Sequence, residues 1–165
     1  MSPVAETSVD IDAPIDLVWE VMTDVAHYRE WNPFVVALTP VRPGPLTVGS
    51  DIHLEVRWGR GGGTRTLERV TRLDGPAARP GDPTRRSTME YIYLGWLPRL
   101  ALIRGSRLQS LEQAPGRPTT YRTSERFTGL LARQVPLAKV QDGFERHARA
   151  LKQRAEALRA AAAAR

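Results

Sequence analysis

A change of period along the chain constrains its fold more than any other feature. From Phe34 to about Phe127 the apolar residues recur in short β-branched runs, and from Leu130 onward they recur at helical spacing. The runs are Phe34 to Thr39, Ile52 to Trp58, Thr64 to Leu73, Thr88 to Leu94, Leu102 to Gln113 and Thr119 to Thr128. Between them lie Pro43-Gly44-Pro45, Gly59 to Gly63, Gly75 to Pro83, Gly95 to Pro98 and Pro115-Gly116. Successive strands with short turns between them form an antiparallel meander. Ile52, Leu54, Val56 and Trp58 alternate with His53, Glu55 and Arg57, so one face of the sheet is dry. In the last run Tyr121, Thr123, Glu125 and Phe127 share one parity, and Arg122, Ser124 and Arg126 the other.

A dry face has to be covered. Leu137, Val140, Phe144, Ala148, Leu151, Ala155 and Leu158 form one apolar stripe, with Arg146, Arg149, Gln153 and Glu156 opposite. No other segment is long enough to cover the sheet. Pro136 falls in the first turn of this helix, and the tail Ala160 to Ala164 is expected to fray. Upstream, residues 4–11 read as an edge strand. Asp12-Ala13-Pro14 opens a helix whose stripe is Ile15, Val18, Trp19, Met22 and Val25. A second short helix over about 25–30 stops at Asn32-Pro33. The expected architecture is α+β, in the order β-α-α, six strands, then a long helix. A curved sheet of six or seven strands wraps that helix and leaves a cavity between them.

Length and charge narrow the reading further. The 165 residues suit one domain, expected to span residues 1–165. With no cysteine, disulfides and thiolate metal sites are excluded. No apolar run reaches membrane-spanning length and no secretory leader opens the chain, so a cytoplasmic protein without membrane insertion is expected. The net charge of +6 invites nucleic acid. However, only Lys139 and Lys152 are lysines among the 24 basic residues, and the arginines are interleaved with acids, as in Glu68-Arg69 and Glu125-Arg126. No specific nucleic-acid partner is expected. Gly59-Arg60-Gly61-Gly62-Gly63 lacks the Gly-Lys-Ser/Thr of a phosphate loop and reads as a hairpin turn.

Three segments resemble the START/Bet v 1-like (SRPBCC) superfamily of polyketide cyclases and lipid-transfer proteins. Ile11-Asp12-Ala13-Pro14 with Val18-Trp19-Glu20-Val21 is similar to its first strand and helix start. Tyr28-Arg29-Glu30-Trp31-Asn32-Pro33-Phe34 is similar to its Tyr-x-x-Trp-Asn-Pro segment. Thr123 to Leu131 is similar to its Glu-x-Phe-x-Gly signature before the final helix. The resemblance implies a helix-grip fold around a hydrophobic or aromatic ligand. It implies a polyketide cyclase/aromatase-like or other ring-forming protein of bacterial secondary metabolism without cofactor, or else a non-catalytic carrier or sensor. A co-regulator acting through its surface stands well behind these, and a homodimer is left open.

Glu125 shares its parity with Tyr121 and Phe127 and should face the dry side. A carboxylate there must be paired or protonated. It is therefore either a general acid or base, or the partner of Arg104 or Arg107. In cyclases of the superfamily, cavity arginines and tyrosines orient a polyketone, which makes Arg104, Arg107, Tyr91 and Tyr93 candidates. Strand phase around Gly95 and Gly105 leaves open which of them point inward. Trp31 and Asn32 are either mouth residues or a core anchor and a helix stop. Trp58, Tyr121, Phe127 and Phe144 are candidate ligand contacts from their dry-face positions. His147 lies beside the helical stripe and could line the cavity, whereas His53 is in the solvated parity. His27, His53 and His147 show no metal spacing.

Overall fold

Alternation along the strands builds one sheet, in a computed structural model that describes residues 2–59 and 61–164. Arg60, in the glycine-rich turn, lies outside the described residues. The strands are β1 (Val4–Ile11), β2 (Val35–Pro40), β3 (Asp51–Arg57), β4 (Gly63–Arg79), β5 (Asp82–Leu94), β6 (Arg104–Gln113) and β7 (Thr119–Thr128). The helices are α1 (Ile15–Thr23), α2 (Tyr28–Trp31), α3 (Trp96–Arg99) and α4 (Leu137–Ala163), with 3-10 turns at Val25–His27 and Ala132–Gln134. Every pairing is antiparallel, in the order β1-β7-β6-β5-β4-β3-β2. Register sets Val70 opposite Tyr91, Tyr91 opposite Arg107, Arg107 opposite Glu125 and Glu125 opposite Ala5. Because side chains alternate faces, this row lies on one side of the sheet.

The expected break at Gly75 to Pro83 is mostly strand. β4 runs on to Arg79 and β5 starts at Asp82, so the turn shrinks to Pro80-Gly81. Register shifts at Val70/Arg72, Asp74/Ala77 and Ala78/Arg79 absorb Gly75 and Pro76 as bulges. The Gly95–Pro98 break holds the one-turn helix α3. The expected helical start at Leu130 is a 3-10 turn, and α4 itself begins after Pro136.

α4 buries Val140, Gly143, Phe144, His147, Ala148, Leu151 and Ala155. It also closes over both edges of the sheet. Gln141 accepts from Glu6 N at 3.1 Å and donates to Glu6 O at 2.9 Å, pairing backbone groups of edge strand β1. Arg146, expected on the solvated side, donates to Pro33 O at 2.9 Å and to Arg57 O at 3.1 Å beside β2 and β3. The helix therefore spans the concave side from one edge to the other. Among the described residues no helix is long and apolar enough to cross a membrane.

Gly143 lets α4 approach Phe34. A Cβ there would meet the edge of the Phe34 ring at Cε2 and lie 2.7 Å from its Cζ. Helix propensity alone favours Gly143→Ala by about 1 kcal/mol, but overpacking against the ring costs about 1–3 kcal/mol. The variant is expected to lose stability in urea denaturation. An unchanged or raised midpoint would show that Phe34 has room to yield.

Candidate functional site

The curved sheet and α4 border a half-open cavity of about 250 Å³. Phe34, Leu54, Val56 and Trp58 wall it from the β2–β3 side, Phe127 from β7, and Val140 and Phe144 from α4. Leu97, Ile103, Val135 and Pro136 line the end near the β5–β6 and β7–α4 connections. Glu68, Tyr91, Tyr93, Arg107 and Glu125 bring polar groups into this apolar shell. Glu68 stands opposite Tyr93 across β4 and β5. The row set by strand register is thus the polar floor of the cavity.

Arg107 is 3% exposed. Its Nε donates to Thr123 Oγ1 at 3.1 Å, and its guanidinium lies 4.3 Å from the centroid of Phe144. The rings of Phe34 and Tyr91 stand at 5.8 and 6.0 Å. Among the described residues its Nη2 has no hydrogen-bond partner. Glu125 is directly across the strands, yet the two form no ion pair among the described residues. The Glu125 carboxyl turns over Gly105, where an added Cβ would meet Oε1 at 2.8 Å. Gly105 is thus the notch that receives the carboxyl.

Burial pushes Glu125 up to about 7, the charge of Glu68 adds to the rise, and Arg107 opposes it. Glu68 is also raised by burial, against the hydrogen bond from Thr66 Oγ1 (2.7 Å) and the charge of Arg107. Two acids that resist ionisation and one arginine that keeps its charge therefore share a single apolar chamber.

A second polar chain lies beneath the cavity. Tyr121 OH donates to Gln109 Oε1 at 2.8 Å, and Gln109 Nε2 donates to Tyr91 OH at 3.4 Å. Tyr121 also stacks on His147, with centroids 5.9 Å apart and planes 13° apart. Asn32 Oδ1 accepts from Phe34 N at 3.1 Å and Val35 N at 2.9 Å, so its amide nitrogen is the group facing His147 Nδ1 at 3.0 Å. His147 Nδ1 is then the acceptor and Nε2 carries the proton. Burial, then Arg107, pushes His147 well below its usual range, so it is neutral.

Several sequence candidates stand elsewhere. Arg104 is exposed on the convex face, because it lies three positions before Arg107 and strand alternation puts them on opposite sides. Glu125 pairs with neither. Trp31 packs edge-on to Tyr28 and His147 at 5.2 and 5.7 Å, outside the cavity lining. Asn32, Tyr121 and His147 are buried one layer below that lining. Trp58, Tyr91, Tyr93, Phe127, Phe144, Arg107 and Glu125 all line it. Glu68 and Phe34 were missed. The signal for Glu68 was its parity with Val70, two residues on. Among the described residues no cluster of three His, Asp or Glu side chains could hold a metal ion.

A model of the family described as polyketide cyclase/dehydrase and lipid transport matches residues 2–156. No curated protein matches the chain by sequence. Among solved structures, the Zhui aromatase/cyclase from Streptomyces sp. R1128 superposes with a TM-score of 0.69 at 18% identity, over 94% of each chain. Major latex-like protein 151 from Panax ginseng gives 0.61 at 13% identity, over 93% of this chain and 97% of its own. A norcoclaurine synthase variant from Thalictrum flavum gives 0.58 at 13% identity, over 94% of each chain. At these identities the likeness establishes the fold, a helix-grip sheet around a C-terminal helix.

Proposed function

Because the chain belongs to the polyketide cyclase/dehydrase and lipid transport family, we propose that it binds a hydrophobic or aromatic small molecule in the cavity and promotes ring closure there. It would do so as one ligand-binding domain over residues 1–165. The observation that carries this reading is a carboxyl held at about 7, within the same apolar chamber as a buried arginine. A general base works best when its proton affinity lies near the operating pH.

The chemistry follows from these positions. The Glu125 carboxylate removes a proton from the carbon between two carbonyls. The guanidinium of Arg107 receives the charge that develops on the enolate oxygen. The enolate carbon attacks a second carbonyl of the same chain, and protonated Glu125 returns its proton to the new alkoxide. Loss of water and enolisation of the remaining ring ketones then give the aromatic ring. The apolar walls hold the chain folded so that the two carbons meet. A carrier role without turnover is the second reading, favoured by the predominance of apolar side chains in the lining.

The test is incubation with short linear polyketone thioesters, with products resolved by chromatography and mass spectrometry. The base must be ionised, so kcat/KM is expected to rise with pH through about 7. Arg107→Ala should lower kcat/KM by about 10²–10³ with the fold retained. Stoichiometric binding with no product would favour the carrier.

A further inference from the structure

The cavity holds more charge information than ring closure alone requires. Arg107 is a buried cation whose Nη2 has no partner among the described residues. The nearest acid in register, Glu125, rests its carboxyl over Gly105 and forms no ion pair with it among the described residues. The other, Glu68, is engaged by Thr66 at 2.7 Å. A buried charge left without a counter-charge is costly, and an anion brought to it offsets that cost. Arg107 therefore lacks one acidic group, and both its guanidinium and the Glu125 carboxyl line the cavity.

The volume limits what can carry that group. About 250 Å³ lies below the roughly 300–1,000 Å³ of sites for drug-sized ligands. An apolar cavity of about 150 Å³ already holds benzene. One ring with its acidic substituent fits, and Phe34, Trp58, Phe127 and Phe144 supply aromatic walls.

We propose that the site takes a small aromatic acid as its anion, the acid against Arg107 and the ring among these walls, while Glu125 takes up a proton. The inference rests on the cavity being the ligand site and deepens that reading. An anion beside Arg107 with Glu125 protonated reproduces the charge arrangement of the enolate intermediate, so such acids would also bind as mimics of it.

The groups facing the site are Glu68 on β4, Tyr91 and Tyr93 on β5, Arg107 on β6 and Glu125 on β7, with Tyr28, Tyr121 and His147 behind them. Burial holds Tyr28, Tyr91 and Tyr121 above the usual phenol range, and His147 is neutral. The carboxyls therefore set how the charge of the site varies around neutrality. Below about pH 7 Glu125 is neutral and Arg107 is open to an anion. Above it Glu125 is ionised, repels the anion and must be protonated before binding.

The experiment is isothermal titration of the full chain at pH 6 and pH 8 with two matched pairs: benzoate against benzamide, and phenylacetate against phenylacetamide. Two buffers of different ionisation enthalpy report proton uptake. Each acid is expected to bind at pH 6 at least about tenfold more tightly than its amide, the gain of a charge-assisted hydrogen bond. Its affinity should fall by about tenfold between pH 6 and pH 8, with proton uptake at pH 8. Glu125→Gln should remove the pH dependence and keep the preference for acids, and Arg107→Gln should remove the preference. Amides binding as tightly as acids would overturn the proposal and leave the cavity reading standing. No binding by either class would overturn both. The wild-type comparison decides the matter even if Arg107→Gln fails to fold.

Discussion

Glu125→Gln is expected to lower kcat/KM on a cyclisable substrate by about 10²–10⁴, and to make the folded chain more stable at pH 8. The two effects share one cause. The carboxyl is useful as a base because burial has raised it to about 7 from an ordinary value of 4.5. The same rise is a folding penalty once the group is ionised. A raised folded value favours the native state fully below about 4.5. That advantage is lost as pH climbs through 7, and above 7 the native state carries a charge that the unfolded chain would hold more easily. The penalty is about 3 kcal/mol at most, less whatever water in the cavity screens. Glutamine keeps the shape without the charge. Wild type should therefore lose stability in urea between pH 5 and pH 8, and the variant should lose less. A variant no more stable than wild type at pH 8 would show that Glu125 ionises without cost, and would remove the reason for assigning it as the base.

Gly129→Val should be the most damaging single change to the fold. Gly129 sits at a φ of 111°, where a β-branched residue is strained. An added Cβ would also lie 2.6 Å from Leu102 O and 2.7 Å from Ala101 O. Those two carbonyls are the acceptors that tie the loops together: Leu130 N donates to Ala101 O at 3.1 Å, and Leu131 N to Leu102 O at 2.8 Å. Strain and overpacking together cost about 3 kcal/mol or more, or a fall of about 6–12 °C in Tm for a chain this long. The damage should extend to the cavity, because this tie holds the loop bearing Ile103 against the one bearing Val135. Calorimetry checks the first effect and ligand binding the second. A midpoint within a degree of wild type would mean that the two loops are not held together here.

The legibility of the site divided along lines that single residues make clear. Glu125 could be placed on the dry face because it shares an unbroken strand with Tyr121 and Phe127. Phe144 and Trp58 were readable for the same reason, each within a continuous apolar period. Alternation puts Arg104 and Arg107 on opposite faces, but which of them points inward could not be read, because Gly105 between them gives no apolar phase marker. Glu68 was hidden in a strand whose mixed residues, Thr64 to Leu73, show weak alternation. Asn32 and His147 are adjacent in the core, yet 115 residues separate them, and no local pattern carries such a distance.

The sequence by itself determined the strands, the long final helix and their order. Side-chain periodicity is local: a period of two makes strands, a period near 3.6 makes α4, and the one long stripe can only cover the one dry face. Tertiary structure alone decided the chemistry of the cavity. Strand register set Arg107 opposite Glu125, Gly105 gave the carboxyl its notch, and Phe144 packs against the guanidinium. Those are contacts between distant segments, and they exist only once the sheet has curved and the helix has closed both its edges.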